Sequence, residues 1–171
     1  MILTTKRLTL TPANMSYLHS THEYAGNFEN TKFMMFLPYD SLEETAEVLK
    51  KSEANWQSEK PEFLRFAIIF ENRHIGEISL FFIDEPQKAE FDWVIHRDYW
   101  NRGIVTEAAF AMIEYAKTLG LTYLFACCDS ENIGSYSVME KIGMSRVSCL
   151  GGRKNRGCDE ERKELLYELY L

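Results

Sequence analysis

The stretch from Ala89 to Leu119 constrains the fold more than any other part of the chain. Ala89, Phe91, Trp93 and Ile95 alternate with Glu90, Asp92, Val94 and His96, the period of a β-strand, so one face is core and the other carries two carboxylates. After the loop Arg97 to Arg102 and Gly103, apolar side chains at Ala109, Met112, Ile113 and Ala116 recur at three- and four-residue spacing. That spacing predicts a helix over Thr106 to Leu119, with Gly120 suited to a left-handed C-terminal position. A short glycine-containing turn feeding a helix aims several unpaired amides at one spot, which the helix dipole makes attractive to a pyrophosphate. An ordinary strand-to-helix connection has the same outline. The two common nucleotide fingerprints, Gly-x-x-x-x-Gly-Lys-Ser/Thr and Gly-x-Gly-x-x-Gly after a strand, are not in the chain.

The rest of the sequence reads as elements around this unit. A strand over Lys6 to Leu10 precedes a helical stretch from Pro12 to Tyr24 that ends near Gly26. Ser41-Leu42-Glu43-Glu44 is a capping box, with Ser41 taking the Glu44 amide and the Glu44 carboxylate reaching back to the Ser41 amide, ahead of a helix to Gln57. Phe63 to Phe70 and His74 to Ile83 form a hairpin through Glu71-Asn72-Arg73. Leu121 to Cys128 is a strand, Gly134 to Ile142 a short helix stopped by Gly143, and Met144 to Leu150 with Leu165 to Leu171 a closing strand pair. The pattern is mixed α/β, an antiparallel meander followed by a strand-helix-strand-helix unit. Without a linker-like stretch or repeat, residues 1–171 are expected to be one domain.

Composition bounds the partners. With 46% hydrophobic and 13% aromatic residues the chain can close a core unaided. Lys and Arg number 19 against 26 Asp and Glu, a net charge of −7, which argues against a generally basic nucleic-acid binder and favours cationic small partners such as amines. No apolar run approaches the roughly 18 to 20 residues of a membrane span, and the N-terminus lacks the basic-then-apolar order of a secretory signal, so a soluble cytoplasmic location is expected. Four cysteines, two adjacent at Cys127-Cys128, form no metal spacing and are expected to be reduced and mostly buried.

Tyr99-Trp100-Asn101-Arg102-Gly103-Ile104-Val105-Thr106-Glu107-Ala108 resembles the acyl-CoA loop of the GCN5-related N-acetyltransferases, the GNAT superfamily. Asn132-Ile133-Gly134-Ser135 followed by Met139-Glu140-Lys141-Ile142-Gly143-Met144 is similar to a later motif of that family, and Thr5-Lys6-Arg7-Leu8-Thr9-Leu10 to the opening of the branch containing the ribosomal-protein N-terminal acetyltransferases (RimJ/RimL-like). The resemblance implies a GNAT fold, a mixed and mostly antiparallel sheet with a splayed strand pair that binds acetyl-CoA. It assigns the pantetheine arm to Trp93, Val94 and Ile95, the pyrophosphate to the amides of Asn101, Arg102, Gly103, Ile104, Val105 and Thr106, and further contacts to Asn132 and Ser135. Trp100 and Val105 depart from the loop pattern, and Val105 adds bulk where the pyrophosphate approaches. The tyrosine many relatives use as acid is Met139 here, and a glutamate some use on the next strand is Cys127.

Acetyl transfer needs a neutral amine, yet an alkyl amine has a pKa of about 10.4, so a proton must leave. Glu90 or Asp92 is the expected base unless water relays the proton, Ser135 the expected acid, and the amide of Val94 or Ile95 the expected oxyanion donor. The expected acceptor is a protein N-terminus, a polyamine or an amino-bearing small molecule, attacked directly in a ternary complex by a monomer or homodimer. The alternative is a noncatalytic acyl-CoA-binding or regulatory module. Phe28, Phe33, Met34, Met35, Phe36 and Tyr39 are expected to pack in the core, some of them shaping the acceptor pocket with Tyr17, Tyr24, Glu23 and Glu29. Gly151 to Gly157 is expected to be a solvated basic turn, with contact to the CoA 3′-phosphate or an acidic substrate group as the sharper reading.

Overall fold

A computed structural model describes residues Met1–Leu171. Eight strands form one sheet: β1 (Leu3–Thr4), β2 (Leu8–Pro12), β3 (Phe63–Phe70), β4 (Arg73–Phe82), β5 (Lys88–Ile95), β6 (Tyr123–Asp129), β7 (Ser145–Lys154) and β8 (Glu161–Tyr170). Their order is β1-β2-β3-β4-β5-β6-β8-β7, and every pairing is antiparallel except β5 with β6. The helices are α1 (Leu18–Ala25), α2 (Phe28–Thr31), α3 (Leu42–Gln57), α4 (Ile104–Thr118) and α5 (Ile133–Lys141). None is long and apolar enough to cross a membrane.

Alternation along the central strands divides the sheet into two faces. Leu64, Phe66 and Ile68 of β3, Ile78 and Leu80 of β4, and Ala89 and Phe91 of β5 share the main core with Ile104, Ala108, Met112 and Ala116 of α4. On the opposite face Leu49 of α3 packs on Ala67, while Tyr24 and Leu37 close a smaller cluster beside Val94. The polar positions of the same strands, Arg65, Glu77, Ser79, Glu90 and Asp92, share this second face, which faces a cleft.

The β3–β4 hairpin turns through Glu71 and Asn72, both at positive φ (50° and 62°), the pair that matches the twist of a two-residue hairpin. Gly76 has a different necessity: a Cβ there would lie 2.4 Å from the Val94 carbonyl oxygen and 2.8 Å from Ile95 Cα, so only glycine lets β4 approach β5 this closely. At the end of α4, Gly120 sits at φ +79°, as the sequence suggests.

Several boundaries differ from the sequence reading. The first strand is shifted to Leu8–Pro12, and the helix expected from Pro12 begins with a 3-10 turn at Met15–Tyr17 capped by Asn14. Ser41 caps α3 as expected, accepting from the Glu44 amide at 3.1 Å, but the Glu44 carboxylate accepts from the Asp40 amide at 2.7 Å and pairs with Arg156, leaving the reciprocal half of the box unformed. Of the four cysteines only Cys128 is buried, and Cys149, on the edge strand β7, is exposed.

Candidate active site

β5 and β6 pair only over Lys88–Glu90 with Tyr123–Phe125 and then diverge. The divergence opens a cleft of about 1350 Å³ lined by the residues expected to bind the cofactor and carry the chemistry: Glu90, Asp92, Trp93, Val94 and Ile95 of β5, Asn101 to Thr106, and Asn132 and Ser135 of α5 and its cap.

One end of the cleft is made of backbone. Gly103 caps α4 in the left-handed conformation, φ +70°, and the first amide of the helix to find a carbonyl is Glu107, which donates to Gly103 O at 3.1 Å. The amides of Asn101 to Thr106 have no protein acceptor. A ring of unpaired donors at a helix N-terminus suits a phosphate-bearing group. The loop is held in place from three sides. Thr5 Oγ1 and the Arg7 amide donate to Glu107 Oε1 at 2.6 and 2.8 Å, Arg7 Nε donates to Glu107 Oε2 at 2.6 Å, and Arg7 Nη1 reaches Arg102 O at 3.1 Å. Thr5, Arg7 and their partners hold the Glu107 carboxyl below its ordinary range against the upward push of burial. The opening motif is therefore the clamp of the loop. Trp100, read as a departure from the loop pattern, donates from Nε1 to the Ile95 carbonyl at 3.0 Å, where Asn30 Nδ2 also arrives at 3.2 Å. Val105 is buried and packs in the main core while also bordering the cleft, so most of its bulk is absorbed by the core.

The strand in between offers an edge. His96 N donates to Ile75 O, so the alternation of an antiparallel ladder turns the amides of Asp92 and Val94 toward β4 and those of Trp93 and Ile95 toward the opening. Of these two, Trp93 N already donates to Asp92 Oδ1 at 2.8 Å. Across the gap Asn132 Oδ1 accepts from the Ser135 amide at 3.2 Å, which leaves its NH2 free. Ser135 stands beside Cys128, whose thiol burial pushes up to about 11. Burial, reinforced by Glu164 and Glu90, pushes the Cys127 thiol to about 12, so neither cysteine is a thiolate at neutral pH. Met139, at the acid position of many relatives, is buried in the core.

The other end is made of side chains. Glu90 and Asp92 stand on one strand face. Burial, then the Asp92 and Glu164 carboxylates, raises Glu90, and desolvation raises Asp92 although Arg65 and the Trp93 amide pull the other way. Glu77 and Arg65, one and two strands over, complete the floor with Nε to Oε2 at 3.4 Å. Glu164 of β8 pairs at 2.6 Å with Arg153 of β7. Phe33, Met34, Met35, Phe36 and Tyr39 form the wall, with Phe36 78% exposed. The segment expected to be core is thus mostly cleft lining. Tyr17, Tyr24, Glu23 and Glu29 do not line the cleft: Tyr24 is buried, Tyr17 is within hydrogen-bond distance of Thr11, and Glu23 and Glu29 face solvent. Most of the carboxylates that line the pocket, Glu77, Glu90, Asp92 and Glu164, stand on the sheet.

The basic loop is also different from the solvated turn expected. Arg153 is buried and fully used, donating to Asn155 Oδ1, Glu164 and Phe33 O, while Arg156 pairs with Asp40 and Glu44. These two arginines tie the β7–β8 hairpin to the aromatic wall.

A cleft with free amides at one end, an unpaired strand edge along it and carboxylates at the other has the parts of an acyl-transfer enzyme. Residues 7–145 match the family model described as an acetyltransferase (GNAT) domain, and the chain belongs to that family. It is 34% identical over 150 residues to the uncharacterized N-acetyltransferase YnaD of Bacillus subtilis, covering 85% of this chain and 84% of that protein. It is 27% identical over 138 residues, 80% of this chain and 72% of the other, to spermidine N(1)-acetyltransferase of Escherichia coli. The fold matches RimL, a ribosomal L7/L12 α-N-protein acetyltransferase solved with coenzyme A, at a TM-score of 0.86 and 18% identity, over 100% of this chain and 98% of that one. The protein is an N-acetyltransferase, and acetyltransferases of this family use acetyl-CoA.

Proposed function

We propose that this protein moves the acetyl group of acetyl-CoA to a primary amine by direct transfer in a ternary complex. The reading is carried by one observation: the partnerless amides of Asn101 to Thr106 and the carboxylates Glu90 and Asp92 open into the same cleft, with the free edge of β5 between them.

Acetyl-CoA supplies the activated thioester. The amides of Asn101 to Thr106, with Arg102, hold the pyrophosphate; the edge at Trp93 and Ile95 and the free NH2 of Asn132 hold the pantetheine arm. Of the two candidate oxyanion donors, Ile95 is the one whose amide faces the opening, because the ladder commits that of Val94 to β4. Glu90 or Asp92 takes the proton of the incoming ammonium, directly or through water. A carboxylate raised above its ordinary range is a better match to that task near neutral pH than one of unperturbed pKa. Ser135 donates to the departing sulfur.

The acceptor is a cationic amine, held by a pocket whose floor is rich in carboxylates and whose wall is aromatic. A thiol-release assay across amines, polyamines and short peptides with free N-termini tests the proposal. Acetyl-CoA-dependent thiol release with an acetylated amine as product is expected, and tight binding of CoA with no turnover on any acceptor would refute it in favour of a binding module.

A further inference from the structure

The free edge of β5 is bounded at both ends, and the two boundaries are made differently. At one end stands β6, which runs parallel to β5 and pairs with it only over Lys88–Glu90. At the other end stands a single side chain. Asn30 Nδ2 donates to Ile95 O at 3.2 Å, and Asn30 Oδ1 accepts from the Arg97 amide at 2.6 Å. A residue on a parallel neighbouring strand makes the same two bonds, donating its N–H to one carbonyl and accepting from the amide two residues further on. The Asn30 carboxamide thus takes, at Ile95 and Arg97, the place of the strand that β6 no longer provides beyond Glu90.

The position of Asn30 is fixed from its own side. Its backbone amide donates to Asn27 O and Asn27 Oδ1, both at 3.1 Å, and the residue is 8% exposed although it borders the cleft. Because His96 N is committed to Ile75 O on β4, the N–H and C=O groups of Trp93, Ile95 and Arg97 face the other way, toward the opening. Asn30 occupies Ile95 O and Arg97 N, and Asp92 Oδ1 occupies Trp93 N. A ligand on this stretch is left with Trp93 O as acceptor and Ile95 N as donor. Trp100 Nε1 shares Ile95 O at 3.0 Å, but an indole only donates and cannot serve Arg97 N as well. The ladder pins Val94 on the β4 side while Asn30 pins Ile95 O and Arg97 N on the other, so the Ile95 amide between them has a fixed aim.

We propose that Asn30 is a positioning residue for acetyl transfer. By ending the free edge as a parallel strand would, it leaves one backbone donor, the Ile95 amide, for the thioester carbonyl and fixes its direction. Asn30 acts through Ile95 and does not move the proton. A preorganised donor favours the developing oxyanion over the ground-state carbonyl, so a misdirected one costs turnover and spares binding. This inference rests on the acetyl-transfer reading and on Ile95 as its oxyanion donor.

The test separates the aim of that amide from support of the cofactor site. Asn30→Ala loses both bonds; Asn30→Asp keeps an acceptor for Arg97 N and loses the donor to Ile95 O. With the amine most active in the thiol-release assay, kcat of each is expected to fall at least about tenfold, a fraction of the roughly 100- to 1000-fold that a whole oxyanion donor is worth. The calorimetric Kd for acetyl-CoA should hold. Difference infrared spectroscopy with carbon-13 at the acetyl carbonyl should show the thioester stretch lowered on binding to the wild-type protein and returned toward the free frequency in both variants. If the alanine variant does not fold, the aspartate variant carries the test, and Trp100→Phe, which leaves Asn30 in place, should keep the lowered stretch. An unchanged stretch in the Asn30 variants overturns the proposal, as does a loss of acetyl-CoA affinity as large as that of kcat, or a stretch fully restored in Trp100→Phe. A lowered stretch that Asn30→Ala abolishes, without turnover on any amine, strikes the acetyl-transfer reading alone. Turnover that survives both Asn30 substitutions unchanged strikes this role alone.

Discussion

The two ends of the cleft are built by opposite strategies. The end that faces the α4 N-terminus is made of consecutive residues, Asn101 to Thr106, whose free donors are backbone amides, so a side chain such as Val105 takes none of them away. The end that faces the sheet is made of single side chains from β3, β4, β5 and β8, namely Arg65, Glu77, Asp92 and Glu164, brought together only by strand register. A backbone site tolerates substitution of side chains and fails when φ is disturbed. A side-chain site tolerates backbone drift and fails when one charge is removed.

The largest effect is expected where the chemistry itself is lost at the sheet end. Replacing Glu90 with Gln and Asp92 with Asn together should lower kcat by about 100-fold or more, the usual worth of a general base. In the wild-type protein kcat/KM should fall as pH is lowered, on a limb above the ordinary carboxylate range, because the base works only when deprotonated and both groups are raised. A folded-state pKa above the unfolded one means the native state binds the proton more tightly, so stability declines as pH rises through that window. Glu90→Gln alone, at the part-buried member of the pair, should therefore raise the melting temperature at neutral pH while lowering kcat. A pH–rate profile unchanged in both single variants would move the proton to water.

The second effect is expected at the backbone end. Gly103→Trp forces a large side chain into φ +70° at the helix cap and should weaken acetyl-CoA at least about 100-fold by calorimetry, about 2.7 kcal/mol. The acceptor affinities of the variant, measured without cofactor, should stay near those of the wild type. Unchanged acetyl-CoA affinity would refute the assignment of the loop. A smaller loss, about tenfold, is expected for Glu107→Ala, which removes the carboxylate that holds Thr5 and Arg7 and leaves the amides of Asn101 to Thr106 and the contact of Arg7 with Arg102 O in place.

The same division explains what was legible in the sequence. Local signals carried the helix α4, its glycine caps, the β3–β4 hairpin and the alternation of β5, because each depends on neighbours in the chain. The loop amides were legible for the same reason. Arg65 and Glu77 were not singled out, although each is a charged residue within an apolar strand, and that interruption was the available signal. What decides their role is that they share a face with Asp92, and register across three strands is not written in any one of them. The turn Gly151 to Gly157 shows the reverse error. Its basic composition suggested solvent, but the carboxylates that neutralise Arg156 lie about a hundred residues earlier, at Asp40 and Glu44.

Arg156 gives the mildest and most selective way to separate the two ends. It donates from Nη2 to Asp40 at 2.5 Å and from Nη1 to Glu44 at 2.6 Å, joining the β7–β8 hairpin to the segment that carries Met34, Phe36 and Tyr39. These partners hold its pKa above the ordinary arginine value, but Asp40 is 80% exposed and the pairing is screened by solvent. The Arg156→Ala variant should accordingly lose only about 1 kcal/mol of stability or less. Its functional effect should be confined to the acceptor, because the released segment walls that side of the cleft and does not reach the amides of Asn101 to Thr106. A severalfold rise in KM for the amine is expected, with kcat and acetyl-CoA affinity unchanged. High salt should produce part of the same rise in the wild-type protein by screening the exposed pair. An equal rise in KM for acetyl-CoA would show that the hairpin couples the two ends, and would remove the independence on which the comparison rests.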